Sequence, residues 1–294
     1  MTLSVVIASK DRAGLLAQAL DSLAAQAGAP EFEIIVADNG SSDATPAVVA
    51  ERQSGGLQLR RVFVPEPNRG KARNAGVAAA TGRILVFVDD DVEVPPHFLA
   101  AHARAHAAAG PVAASGPILN VPEYGSQAKP SFANYSGAYF CTCNVSLPRE
   151  AFEAAGGFDE DFDLYGWEDT ELGLRLRRGD VGRAFVWEAY LYHIKPPATE
   201  TLDNVLIKTK ERARMAARFL QKDAGLRTKL ATGAYRANFW RSQLTVPGWT
   251  LPWYSSLARN ERVPAALRAL ARAQVLDGEY TGELRRALRR GDRH

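Results

Sequence analysis

Along the first two hundred residues, short β-branched runs alternate with Ala/Leu-rich segments at the spacing of strands and helices. Residues 3–8 (Leu3-Ser4-Val5-Val6-Ile7-Ala8) predict a strand, which Ser9-Lys10-Asp11-Arg12 ends ahead of a helix over 13–25. A second strand over 32–37 closes in Asp38-Asn39-Gly40-Ser41-Ser42-Asp43, small polar turn formers that lead into a helix over 45–52. A third strand covers 57–64, a helix opens at Lys71 and ends at Thr81-Gly82, and a fourth strand starts at Ile84. This alternation predicts a mostly parallel sheet with right-handed crossovers, whose ligands sit beyond the carboxyl ends of the strands. The polar clusters at 9–12, 38–43 and 89–91 all fall on that edge.

The fourth strand carries the densest chemistry. Ile84-Leu85-Val86-Phe87-Val88 reads as buried on both faces, and Asp89-Asp90-Asp91 follows with no spacer. Carboxylates are rarely buried unpaired, so this strand end must meet cations or water. An Asp-x-Asp pair suits a divalent cation with positions left open for a diphosphate; the plainer alternative is a solvated acidic turn. Neither a Gly-x-Gly-x-x-Gly fingerprint nor a P-loop is present, so the usual dinucleotide and P-loop modes find no support.

Further along, a helix is predicted over 100–109, where His102 and His106 stand four apart with His97 just before them. They read either as a chelating pair or as solvated helix histidines. Strands over 112–118 and 139–146 bracket a Pro/Gly/Tyr-containing loop at 120–136, and a helix over 170–178 starts behind Trp167-Glu168-Asp169. Acidic residues at a helix mouth serve capping and the macrodipole in the bland reading. A strand over 184–187 precedes Tyr190-Leu191-Tyr192-His193. From about Thr199 the chain becomes basic and helical, over 203–219, 224–240 and 263–290, with the aromatic stretch 245–254 before the last of these.

Composition adds a boundary. The 294 residues are 46% hydrophobic, enough for one large domain of about 1–200 and an appendage of 201–294. No apolar run approaches the ~20 residues that span a bilayer, and a strand begins almost at once, so the expected location is the cytoplasm. Cys141 and Cys143 are too close for a framework disulfide and too few for a metal cluster, and read as packing residues. The net charge of +3 hides an asymmetry: residues 201–294 hold 19 Lys/Arg against 8 Asp/Glu, or +11, leaving 1–200 at −8. Such an extension suits the anionic inner face of a membrane, or it packs on the catalytic body or on a second subunit.

Four motifs in order, Val5-Val6-Ile7-Ala8-Ser9-Lys10-Asp11-Arg12, Ile35-Val36-Ala37-Asp38-Asn39-Gly40-Ser41-Ser42-Asp43, Gly70-Lys71-Ala72-Arg73-Asn74-Ala75-Gly76 and Val88-Asp89-Asp90-Asp91, resemble a family 2 glycosyltransferase. The likeness continues through Gly156-Gly157-Phe158-Asp159-Glu160 and Gly166-Trp167-Glu168-Asp169-Thr170-Glu171-Leu172, and so covers roughly residues 1–200. It implies the GT-A fold, an α/β architecture with a Rossmann-like, mostly parallel central sheet flanked by helices. It further implies that Ala8, Ser9 and Arg12 line the nucleotide, that Asp38 and Asn39 meet the base or ribose, and that Arg73 approaches the phosphates. Asp91 then holds a metal, Mn2+ or Mg2+, Asp89 the metal or the ribose, and Asp90 is a middle member on the donor. His193 would complete the metal shell, Asp169 would be the base, Glu168 would bind donor or acceptor hydroxyls, and Trp167 and Asn144 would meet the acceptor sugar.

The resemblance thus implies transfer of a sugar from a nucleoside diphosphate sugar, a UDP-sugar foremost, to a saccharide or lipid-linked acceptor in cell-surface polysaccharide or glycolipid synthesis. No nucleic-acid partner is expected, and a homodimer and a peripheral membrane contact through 201–294 stay open. A nucleotidyltransferase-like enzyme would also use strand-end carboxylates, but its glycine-rich loop is missing; a non-catalytic nucleotide-sugar binder would have no chemical reason to keep Asp89, Asp91 and Asp169.

Overall fold

The computed structural model describes residues 2–107, 110–196 and 201–291, which form two compact units. The first runs to Asp163 and resumes at Glu168; the second comprises Leu164–Trp167 and the chain beyond Pro197. In the first unit the chain passes through β1 (Leu3–Ser9), α1 (Ala13–Ala24), β2 (Phe32–Asp38), α2 (Thr45–Ser54), β3 (Leu59–Phe63), α3 (Arg69–Ala79) and β4 (Ile84–Asp89). It continues through β5 (Val92–Glu93), α4 (Phe98–Ala107), β6 (Val112–Ser115), β7 (Ile118–Val121), β8 (Asn144–Pro148), α5 (Arg149–Ala154), α6 (Glu168–Arg178), β9 (Gly182–Phe185) and β10 (Leu191–Ile194). A seven-stranded sheet has the order β3-β2-β1-β4-β8-β6-β9, and a small sheet the order β5-β10-β7.

In the large sheet only β8 runs against its neighbours β4 and β6, so β1 to β4, β6 and β9 all end on one edge. Alternate residues of the central strands feed two cores, as the side-chain period of two requires. Val5, Ile7, Val86 and Val88 join Leu16 and Leu20 of α1 and Phe98 and Leu99 of α4. Val6, Leu85 and Phe87 join Val77 of α3, Phe152 of α5 and Leu172 and Leu176 of α6. Every central strand is therefore covered on both faces, which is what its continuous apolar run predicts. Cys141 and Cys143 are unpaired and pack beside the first of these cores.

Two strand boundaries differ from expectation. The run 112–118 is split into β6 and β7 at Gly116-Pro117, because the chain there passes Ala189 so closely that a Cβ on Gly116 would lie 1.8 Å from its carbonyl oxygen. The run 139–146 is strand only from Asn144; residues 139–143 are irregular and, as shown below, hold a carboxylate.

His102 and His106 are neither metal ligands nor solvated. His102 Nε2 bonds to Asn144 Oδ1 at 3.1 Å, and since the Asn144 amide donates to the carbonyls of Pro117 and Ala189, His102 is the donor of that pair. Its bare Nδ1 then accepts the Ser146 hydroxyl at 2.8 Å, and His106 Nε2 donates to the same oxygen at 2.8 Å. The chain of bonds ties α4 to β8.

The second unit is helical: α7 (Leu202–Lys222), α8 (Leu226–Thr232), α9 (Arg236–Thr245), α10 (Leu251–Arg259) and α11 (Ala265–Gly291). The long helices α7 and α11 pack along each other, burying Ala213, Ala216, Phe219, Ala271, Val275 and Leu284. The single helix expected over 224–240 is broken at Gly233, whose φ of 72° closes α8 in the left-handed region. Part of the stretch expected to separate helices, 245–254, itself forms a 3-10 turn and the start of α10.

Burial pushes His102 down to about 3 and His106 down to about 4, so both are neutral when folded at neutral pH. The unfolded chain protonates them near 6.5, so their contribution to stability is complete above that pH and is lost as pH falls towards 4, by up to about 1.4 kcal/mol per pH unit for each. Urea unfolding between pH 7 and 4 is expected to show a shallower acid loss in His106→Gln than in the wild type; equal slopes would contradict the assignment.

Candidate active site

The edge where β1, β2 and β4 end gathers the predicted groups. β4 ends at Asp89 and the chain bends through Asp90 and Asp91, so Asp89 meets one arginine while Asp90 and Asp91 share another. Asp90, buried, accepts from Ser9 Oγ at 2.7 Å and from Arg12 Nη1 at 3.0 Å. Burial still pushes its carboxyl up to about 6. Asp91 Oδ2 takes the same Arg12 nitrogen at 2.9 Å, so one guanidinium bridges two carboxylates. Asp89 turns to Arg73, its Oδ1 3.5 Å from Nη2.

Arg73 is the buried cation of the site. Its other terminal nitrogen lies 3.4 Å from Glu168 Oε1, and its guanidinium stacks 5.6 Å from the centre of the Phe158 ring. The loop carrying Phe158 is fixed to α3 by Asn74, whose side chain accepts from Phe158 N and donates to its carbonyl, while Asn68 donates to the Glu160 carbonyl. The Gly-Gly-Phe-Asp-Glu motif therefore closes over the helix that presents Arg73.

Glu168 and Asp169 open α6. Asp169 Oδ2 accepts from both the backbone N and the hydroxyl of Thr142, at 2.9 and 3.0 Å, whereas its Oδ1 is buried without a hydrogen-bond partner. Burial raises this carboxyl to about 6; Arg73 pulls against the shift, and Glu168 and Asp89 add to it. The result is a carboxylate with one oxygen pinned and one unmatched.

His193 in β10 bonds through Nδ1 to Asn120 Oδ1 at 3.0 Å, which makes Nδ1 the donor and turns Nε2 towards Asp91. Asp91 Oδ1 lies 3.3 Å from that Nε2, misaligned for a hydrogen bond, and is a buried oxygen with no hydrogen-bond partner. Burial would raise the Asp91 carboxyl, but His193 and Arg12 outweigh it and hold it below the usual carboxylate range. An unmatched carboxylate oxygen beside an imidazole nitrogen is a donor pair whose chemistry suits a divalent cation, so Asp91 and His193 are the residues that would hold one. Among the described residues, no group of three or more His, Cys, Asp or Glu gathers to hold one. Asp89, expected on the metal or the ribose, faces Arg73.

Several expected contacts have other roles. Asp38 is fully buried, one oxygen accepting from Ser41 N and the other from Arg61, and Asn39 Oδ1 accepts from Asn68 N at 2.7 Å. Both shape the loops around them. Ala8, next to last in β1, is paired with Ala37 on one side and Asp89 on the other. Asn144 spends its amide on His102, Pro117 and Ala189 in the interior, so its expected sugar contact is corrected to a structural tie. Trp167 belongs to the second unit, where its indole donates to the Arg212 carbonyl and its ring packs on Arg212 and Phe219, so the expected flat wall for a sugar is already covered. Residues the sequence reading passed over include Thr142, Asn120, Arg61, and the loop-lacing pair Asp11 and Asp43, which cap Ser42 N and Ala13 N. The polar Ser-Ser-Asp turn was their one visible signal.

The model of "Glycosyl transferase family 2" matches residues 4–155, just over half of the chain. The chain belongs to this family. A second model, the "N-terminal domain of galactosyltransferase", matches residues 124–195. A validoxylamine A glucosyltransferase from Streptomyces hygroscopicus subsp. limoneus is 32% identical over 217 residues, covering 59% of this chain and 47% of the relative. The chain thus spans about half the length of that relative. Among solved structures, S. aureus TarS 1-349 in complex with UDP-GlcNAc aligns over 99% of this chain and 92% of its own, with a TM-score of 0.59 at 19% identity. The mannosyltransferase PcManGT from Pyrobaculum calidifontis, in complex with GDP-Man and Mn2+, aligns over 96% and 86%, with a TM-score of 0.65 at 19% identity. These likenesses establish the GT-A fold for this chain.

Removing the buried cation while its carboxylates remain is costly. Arg73→Met is expected to lower the stability of the transferase by roughly 3–5 kcal/mol in urea unfolding at pH 7. An unchanged midpoint would show that Arg73 does not balance Asp89 and Glu168.

Proposed function

We propose that the chain moves a glycosyl group from a nucleoside diphosphate sugar, a UDP-sugar foremost, to an acceptor hydroxyl with inversion, and that Asp169 is its base. The observation that carries this reading is the unmatched Oδ1 of Asp169, buried beside Arg73 and aimed by the two bonds from Thr142 to the other oxygen. The donors named with the structural neighbours, UDP-GlcNAc and GDP-Man, are both of this class and support it.

In the reaction, Oδ1 takes the proton of the acceptor hydroxyl as its oxygen attacks the anomeric carbon and the bond to the diphosphate breaks. A carboxylate raised to about 6 is a stronger base than an ordinary one and is still ionised at neutral pH. Thr142 keeps Oδ2 from rotating into that place. Arg73 offsets the charge of Glu168 and Asp169 in the resting site and leaves Glu168 to orient hydroxyls. Arg12, half-exposed at the start of α1, offers donors to the diphosphate beside the backbone of the β1 loop. Ser9 acts by holding Asp90. A divalent cation, Mn2+ or Mg2+, held by Asp91 and His193 would supply charge neutralisation for the departing diphosphate.

The base assignment has a kinetic signature. Asp169→Asn keeps the shape and one bond to Thr142 but cannot accept the proton, so acceptor-dependent release of nucleoside diphosphate is expected to fall about 10²–10⁴-fold in kcat with donor KM little changed. Unaltered turnover in Asp169→Asn would place the base elsewhere.

A further inference from the structure

The second unit is built partly inside out. In α8 the buried residues are Thr228 and Thr232, and in α9 the buried residue is Ser242, whose hydroxyl bonds to Thr281 at 2.6 Å. The interior side of these helices is served by hydroxyl bonds, Thr228 to Asp223 and Thr232 to the Thr228 carbonyl. Their outer side carries Leu226 and Leu230 on α8, and Trp240 and Leu244 on α9, each pair four residues apart and so on one face. Trp249, in the 3-10 turn, and Trp253, on α10, follow at the same spacing. Exposure reaches 64% for Trp240, 77% for Leu244, 82% for Trp249 and 60% for Trp253. Scattered apolar residues on a surface are ordinary, but a set this large on successive short helices marks a face that meets something.

Charge says what that something is. Between Ala224 and Asn260 there are five Lys/Arg and no Asp/Glu, within an extension that carries +11 over residues 201–294. Arg241 and Arg259 are held by Asp277 and Asp203, while Lys229 and Arg236 stand three and four residues from Leu226 and Trp240, beside them on their helices. A second copy of the chain placed on this face would set these cations against themselves, since an isologous contact repeats the same patch on both sides. Exposed indoles flanked by cations match the boundary of an anionic bilayer, where the ring sits at headgroup level and the cation meets phosphate.

We infer that the outer face of α8, α9 and α10, carrying Trp240, Leu244, Trp249 and Trp253, docks the protein on a bilayer surface bearing anionic headgroups. No described helix is long and apolar enough to cross a membrane, so the contact is interfacial. It is independent of the reaction proposed above.

The test is co-sedimentation of the full chain with vesicles of phosphatidylcholine, alone or with roughly one-third phosphatidylglycerol. Binding to the anionic vesicles is expected, at least about tenfold weaker without phosphatidylglycerol or at high salt. The double variant Trp240→Ser/Trp253→Ser is expected to weaken it about tenfold further, with helix content and Tm unchanged, because both side chains lie outside the packed interior. Three results would overturn the inference: no binding to anionic vesicles at low salt, equal binding by the double variant, or a wild-type dimer that the double variant abolishes, which would make the face a contact between copies.

Discussion

The first unit depends on how charge is balanced where β4 ends. A strand buried on both faces delivers three carboxylates in succession to one edge of the sheet, and such a cluster is stable only if cations from elsewhere in the chain reach it. The cations are Arg12 from the start of α1 and Arg73 from α3, and the imidazole of His193 approaches Asp91 from the small sheet. The sheet order makes this possible, because β1 and β8 flank β4 and carry their loops to the same edge. The motifs are thus far apart in sequence and adjacent in space for one electrostatic reason.

The same balance leaves two buried oxygens unmatched, one on Asp91 and one on Asp169. Desolvated acceptors without partners are costly, and these two lie among the carboxylates gathered at the end of β4 and the start of α6. One lies beside an imidazole nitrogen, and the other is on a carboxylate whose second oxygen Thr142 holds; the proposed function assigns a cation to the first and a proton to the second. The hydrogen-bonded chain from His106 through Ser146 and His102 to Asn144 holds β8, which pairs directly with β4, without entering the site itself.

Much of this was legible in the sequence. The first four strands and three helices follow from hydrophobic period and turn chemistry, because their strands are long apolar runs with sharp polar ends. The split at Gly116-Pro117 and the irregular path of residues 139–143 were not, since both depend on a close approach to Ala189 and on an acidic residue 27 positions away, contacts that no local pattern encodes. Asp89 to Asp91, Arg73, Glu168, Asp169 and His193 are named by motif resemblance, and the fold brings them to one edge of the sheet. Thr142, Asn120 and Arg61 were missed because they act on Asp169, His193 and Asp38 through tertiary register. Asn144 and Trp167 show the converse: a polar or aromatic residue near a motif looks wholly available until its partners in the fold are known.

The central claim is that Asp91 and His193 hold a cation that a nucleoside diphosphate sugar shares. It is tested most directly by thermal shift of the wild type and Asp91→Ala against UDP-, GDP-, dTDP- and CDP-sugars, with and without Mn2+. A ligand that binds only the folded state raises the midpoint according to its concentration relative to its Kd. The account predicts a shift with one nucleotide class that requires metal and disappears in Asp91→Ala. A metal-independent shift that Asp91→Ala retains, or no shift with any donor, would contradict it and leave the end of β4 as a balanced acidic turn.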